Sequence, residues 1–183
     1  MVRILGIAGS LRKASYNTAL LRAAAELAPA GTQIEIASLA GIPLYDGDEE
    51  AANGSPAAVT QLKERVAGAA GLILATPEYN HSLPGVFKNA IDWLSRPGSD
   101  IPRVFGDRPV ALTGATPGPG GTRLAQVAWL PVLRVLGMRH WCGRQLYVAG
   151  AGSVFDADGR LVDQKIREQL EKFTVGFATF VGG

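Results

Sequence analysis

The chain has 183 residues, 47% of them apolar, a comfortable length for one domain spanning residues 1–183 with its own core, and its formal net charge at pH 7 is only +2. The cations are scattered rather than gathered into a stripe, so no nucleic-acid partner is expected. Cys142 is the only cysteine, which excludes an internal disulfide framework, and no apolar run is long enough for a bilayer; a cytoplasmic protein without membrane attachment is expected.

Short apolar, β-branched runs alternate with helical patterns along the chain. The first strand is predicted over Val2–Ala8, with no charged leader before it. A helix follows over 17–28, with Ala19, Leu20, Ala23, Ala24 and Leu27 on its apolar stripe, stopped by Pro29 and Gly31. The second strand covers 33–38. A polar loop over 41–55 comes next, long enough to border a site. Ser55 is the predicted N-cap of a helix over 56–69, and the third strand covers 71–76. Pro84 sits in the first turn of a helix reaching 95, in which Val86, Phe87, Ala90, Ile91 and Leu94 share a face. A strand over 109–113, a helix over 122–136, a strand over 145–148 and a final helix over 163–181 complete the rhythm. Five strands and five helices in alternation predict an α/β fold, a flavodoxin-like doubly wound parallel sheet of order 2-1-3-4-5 with helices on both faces.

In such a sheet the loops leaving strands 1, 3 and 4 meet at one crevice beside the switch point between strands 1 and 3. These loops are rich in Gly, Ser, Thr, Asn and Pro. The first, residues 9–18, precedes a helix N-terminus, where free amides and the helix dipole favour an anion. Ser10, Arg12, Ser15 and Asn17 together point to a phosphate cradle, the lesser alternative being that Ser15 or Asn17 simply caps the helix. No Gly-x-Gly-x-x-Gly and no Walker-type Gly-Lys-Ser/Thr occurs there, so a single phosphate is expected.

Gly9-Ser10-Leu11-Arg12 through Ser15 and Asn17, Pro77-Glu78-Tyr79-Asn80, and Pro84-Gly85-x-x-Lys88-Asn89-Ala90-Ile91-Asp92-Trp93 together resemble the NAD(P)H-dependent FMN reductases, flavodoxin-like enzymes that include quinone, azo and chromate reductases. The resemblance implies bound FMN, reduced by NADPH or NADH. It implies that Ser10, Arg12, Ser15, Tyr16 and Asn17 hold the FMN phosphate. Pro77, Glu78, Tyr79 and Asn80 would pass along the isoalloxazine and bond its pyrimidine edge, largely through backbone. Thr113, Gly114, Ala115, Thr116 and Gly118 would line the ring's other side.

Hydride exchange at a flavin needs no side-chain nucleophile, so no catalytic residue is expected and Glu78 is assigned a structural role. His81 either faces the acceptor pocket or is an ordinary exposed loop histidine. The two histidines lack a carboxylate or cysteine cluster at ligand spacing, so no metal is expected. Cys142 is read as a buried small apolar residue. Residues 122–136 are apolar around much of the helix, and the resemblance implies a homodimer or homotetramer, with Trp93 and Trp129 as candidate interface aromatics. The expected activity is two-electron, ping-pong transfer from NAD(P)H through FMN to a small-molecule acceptor: a quinone, azo compound, chromate-like oxidant or free flavin. The alternatives are a flavodoxin-type electron carrier and a non-catalytic flavin-binding module.

Overall fold

In the computed structural model, which describes all 183 residues, strand β1 (Val2–Ala8) lies between β2 (Thr32–Ala37) and β3 (Gly71–Ala75), and β4 (Pro109–Ala115) follows β3. Every pairing in the sheet is parallel, and the order is β2-β1-β3-β4-β5, with the switch between β1 and β3 as predicted. The central strands are nearly continuous apolar runs because helices cover both of their faces.

The last sheet position differs from expectation. It is shared by two short segments, β5 (Arg139–His140) and β6 (Leu146–Val148), each pairing with a different part of β4. Trp141 takes the chain out of the ladder between them. Its backbone N–H still donates to the Val110 carbonyl at 2.8 Å, while its indole packs 5.3 Å from the Phe173 ring and 5.6 Å from that of Phe177.

The helices are α1 (Tyr16–Glu26), α2 (Gly47–Asn53), α3 (Ala57–Ala67), α4 (Gly85–Leu94), α5 (Ile101–Val104), α6 (Arg123–Val135), α7 (Ala151–Val154) and α8 (Gln164–Gly182). Two apolar clusters sandwich the sheet, one under α3, α4 and α6 and the other under α1 and α8. Helix α2 occupies part of the predicted 41–55 loop. Asp46 caps it by accepting from Asp48 N at 2.9 Å, three acidic residues fill its first turn, and Gly54 ends it at φ 72°. None of its residues is buried, so it lacks the apolar stripe by which a helix is recognised.

Trp93 and Trp129, the candidate interface aromatics, are core residues. Their indole N–H groups donate to the Pro43 carbonyl at 2.9 Å and the Thr76 hydroxyl at 3.2 Å. Helix α6 runs through Pro131 and buries Ala125, Gln126, Trp129 and Leu133, while Leu124, Val127, Leu130 and Val135 stay exposed. The chain itself leaves this second apolar face uncovered. No helix is long and apolar enough to cross a membrane.

Candidate active site

The carboxyl ends of β1, β3 and β4 converge, and bonds beyond the strands tie their loops together: Gly9 N to Ala75 O at 2.9 Å and Thr76 N to Thr113 O at 2.8 Å. A Cβ on Gly9 would lie 2.3 Å from Phe87 and 2.9 Å from Pro77. Only glycine lets the first loop rest this closely on the third. Beneath Pro77, the Thr76 hydroxyl donates to the Pro77 carbonyl at 2.8 Å and accepts from Trp129, whose ring meets Phe87 edge-on at 4.8 Å. The floor of the crevice is thus set by core packing. The cleft above it, about 200 Å³, is lined by Ser10, Arg12, Ser15, Tyr16 and Asn17, by Pro77, Glu78 and Tyr79, and by Ala115, Thr116 and Pro117.

In the first loop, Ser15 is the N-cap of α1, accepting from Thr18 N at 3.3 Å, and the Ser10 hydroxyl accepts from Arg12 N at 3.3 Å. Each hydroxyl keeps its own hydrogen to donate. The amides of Ser10, Leu11, Lys13 and Ala14 have no acceptor within the chain. Arg12, Lys13 and Arg22 form no ion pair, and all three border two further clefts beside this loop. Free amides, hydroxyl donors and uncommitted cations at a helix N-terminus make an anion cradle.

Asn17 lines the cleft and has a further role in the scaffold. Its buried side chain donates to the Ala115 carbonyl at 3.0 Å and accepts from Ala115 N at 2.9 Å. It braces the end of β4 against α1 and retains one amide hydrogen for any phosphate. Tyr16 lines the cleft while its ring stacks on Phe155, with centroids 6.0 Å apart.

The second loop closes in a two-residue turn. Tyr79 and Ser82 exchange backbone bonds of 3.1 and 3.0 Å, and Asn80 and His81 between them have φ of 51° and 61°. Two consecutive positive φ values are the signature of the tight hairpin turn. The amides of Glu78 and Asn80 have no acceptor in the chain, and the Tyr79 ring is half-exposed. The Glu78 carboxylate turns away to α6, accepting from Leu124 N at 2.9 Å and Ala125 N at 3.1 Å. His81 Nδ1 lies 3.5 Å from Glu78, and the imidazole is otherwise largely in solvent.

Thr113 and Gly114 do not line the cleft. Thr113 is buried in β4 with its hydroxyl donating to the Leu146 carbonyl at 3.1 Å, and a Cβ on Gly114 would lie 2.1 Å from the Thr76 carbonyl oxygen. Their pairing in the sheet leaves the third wall to Ala115, Thr116 and Pro117, and Gly118 lies just beyond it, accepting from Gly150 N at 3.2 Å. Pro117, within the span expected to line the ring's other side, also lines the cleft. Cys142 is exposed at the sheet edge, not buried, with Sγ 3.4 Å from His140 Nδ1. Desolvation of the His140 ring holds its pKa below the ordinary imidazole value.

A phosphate cradle at one end, unpartnered loop amides along a second side and an apolar floor over Phe87 together fit a phosphorylated planar heterocycle such as FMN. Comparison with known proteins agrees. Residues 2–152 match the family model described as NADPH-dependent FMN reductase. The chain is 43% identical over 171 residues to an NAD(P)H-dependent FMN reductase of Pseudomonas aeruginosa, covering 93% of this chain and 90% of that protein. It is 36% identical over 180 residues to a 2-hydroxy-1,4-benzoquinone reductase of a Burkholderia species, covering 98% and 96%. Among solved structures, the flavoenzyme NAD(P)H:(acceptor) oxidoreductase FerB of Paracoccus denitrificans superposes with a TM-score of 0.88 at 30% identity, covering 100% of this chain and 98% of that one.

Proposed function

Because the chain belongs to the NADPH-dependent FMN reductase family, an oxidoreductase family with FMN as cofactor and NAD(P)H as reductant, we propose that it passes two electrons from NAD(P)H to a quinone at the cleft above β1, β3 and β4. One observation carries this reading: the three loops at the switch point meet around a single cleft whose phosphate end, amide edge and apolar floor match the parts of FMN. The quinone is favoured because relatives at more than a third identity over nearly the whole chain are quinone reductases.

Bound FMN supplies the hydride chemistry at N5. Arg12 and Lys13, with the Ser10 and Ser15 hydroxyls and the free amides of the first loop, hold the phosphate. The backbone of Pro77 to Asn80 bonds the pyrimidine edge, and Ala115, Thr116 and Pro117 limit the opposite side. Glu78 is not the proton donor, since one carboxylate oxygen is held by two amides and the other faces His81. The quinone's protons come from water, and reductant and quinone use the same open side in turn. The protein acts in the cytoplasm as a homo-oligomer, with the uncovered face of α6 as its contact surface.

The test is anaerobic. NADPH or NADH is mixed with the FMN-loaded protein and the flavin absorbance is followed, after which 1,4-benzoquinone is added. Bleaching by either nucleotide and recovery with quinone are expected. Absence of bleaching with both refutes the reductase, and bleaching without recovery refutes the quinone as acceptor.

A further inference from the structure

We propose that the side chain of Glu78 has a positioning role: its carboxylate, which does not itself touch the cofactor, clamps two walls of the flavin cleft together and thereby sets FMN affinity. The proposal rests on the flavin reading above. Helix α6 has no cap of its own: Thr122, at the N-cap position, is left-handed at φ 63°, and its hydroxyl makes no capping bond but accepts instead from Gln126 Nε2 at 3.1 Å. The capping acceptor comes from 46 residues earlier. Glu78 Oε2 bonds the amides of Leu124 and Ala125, the second and third helical residues, which an N-cap side chain ordinarily serves. Its charge also meets the positive end of the helix dipole, and the side chain is only 14% exposed.

The segment held in this way is strained. Gly121 and Thr122 are consecutive left-handed residues, a conformation that disfavours a β-branched side chain. The glycine is enforced by Tyr147, since a Cβ there would lie 2.8 Å from the tyrosine Cβ. At its other end the loop is tied to the start of α7, where Thr116 O accepts from Ala151 N at 3.0 Å. The Gln126 amide ties Thr122 to the Leu146 carbonyl, and Glu78 is the side-chain restraint that joins this α6 end of the loop carrying Thr116 and Pro117 to the second wall. Pro77 and Tyr79 flank Glu78 in sequence, so the same carboxylate fixes the separation between the second and third walls. Without it, the strain at Thr122 relaxes by loosening the third wall, and the fraction of molecules with a formed cleft falls. Apparent affinity falls by the same factor.

The test is titration of apo-protein with FMN, followed by flavin fluorescence, together with far-UV circular dichroism and the visible circular dichroism of bound flavin. Glu78→Ala is expected to raise the FMN Kd about tenfold or more, with far-UV signal retained and the visible band altered. Glu78→Gln, which keeps a neutral acceptor oxygen at the same reach, is expected to fall between the two. A Glu78→Ala Kd within about twofold of the parent, even with a lowered melting temperature, overturns the clamp, because a residue needed only for stability does not move affinity well below the melt. Should Glu78→Ala fail to fold, Glu78→Asp, one methylene short of the amides, decides in the same way: a raised Kd supports the clamp and a parental Kd overturns it. A parent protein that binds no FMN overturns the flavin reading and the clamp with it.

Discussion

Replacing Asn17 with alanine separates a brace from a ligand. The Asn17 side chain is buried and makes both of its bonds to the backbone of Ala115, 98 residues away, at 3.0 and 2.9 Å. Alanine removes the partners of both the N–H and the carbonyl of Ala115, buried at the end of a central strand. An unsatisfied buried donor or acceptor costs about 1–3 kcal/mol, so the two together cost about 2–6 kcal/mol. Alanine's better helix propensity returns about 0.5 kcal/mol. For a chain of this length each kcal/mol moves the melting temperature by about 2–4 °C, which predicts a fall of about 3–22 °C in the apo-protein. Thermal melting of apo-protein by circular dichroism measures it, with FMN titration alongside. If Asn17 were only a phosphate ligand, the apo-protein would melt normally and FMN affinity alone would fall. An apo shift below about 2 °C refutes the brace. Asn17→Asp sharpens the test, because a carboxylate then faces the Ala115 carbonyl that the amide served, and the loss at neutral pH should exceed that of alanine.

Arg12→Ala should weaken FMN binding about 10–100-fold, the worth of a charge-assisted bond, with a shallower dependence of Kd on salt; a Kd unchanged at low salt would remove Arg12 from the cradle. Gly114→Ala forces a methyl group to within 2.1 Å of the Thr76 carbonyl oxygen and 2.4 Å of the Thr122 hydroxyl. A loss of at least about 1–3 kcal/mol is expected in denaturant melts, and parental stability would show that β4 can shift freely. The depressed pKa of His140 means that the folded state favours the neutral ring. Its contribution is present above the ordinary imidazole pKa and lost as pH falls through the lower folded value. The parent should therefore lose more stability than His140→Gln between about pH 7 and pH 5, by under about 1 kcal/mol because the ring is only half-buried; identical slopes would refute the assignment.

The sheet was legible because its central strands carry a fully buried apolar pattern and the connecting helices carry a stripe. Legibility failed where burial on one face did not generate the element. Helix α2 touches no core, and its signals were local ones: Asp46 as cap, three acids in the first turn and Gly54 at the end. The Arg139–His140 segment is polar and two residues long, joining the sheet by registering with Pro109 and Val110, which no propensity encodes. Trp129, a candidate interface aromatic by sequence, stands four residues from both Ala125 and Leu133, on the stripe that is buried. The apolar residues surrounding it on α6 obscured which stripe faced inward.

At the site, the loops that form it were legible, but the allocation of their polar groups between ligand and scaffold was not. A crevice at the end of a parallel sheet is lined by strand ends that have run out of ladder partners, and some of those backbone groups are too deep for water. Asn17 completes Ala115, the Thr113 hydroxyl serves Leu146, and Glu78 completes the bare end of α6. All three are residue types equally suited to a cofactor. What distinguishes them is the partner already held: Arg12 and the amides of the first loop at the crevice, and Lys13 beside it, are exposed and bonded to nothing in the chain that would compete with a ligand. Residue type and spacing therefore locate such a site, whereas the backbone groups that each polar side chain already serves decide how much of it is left for a ligand.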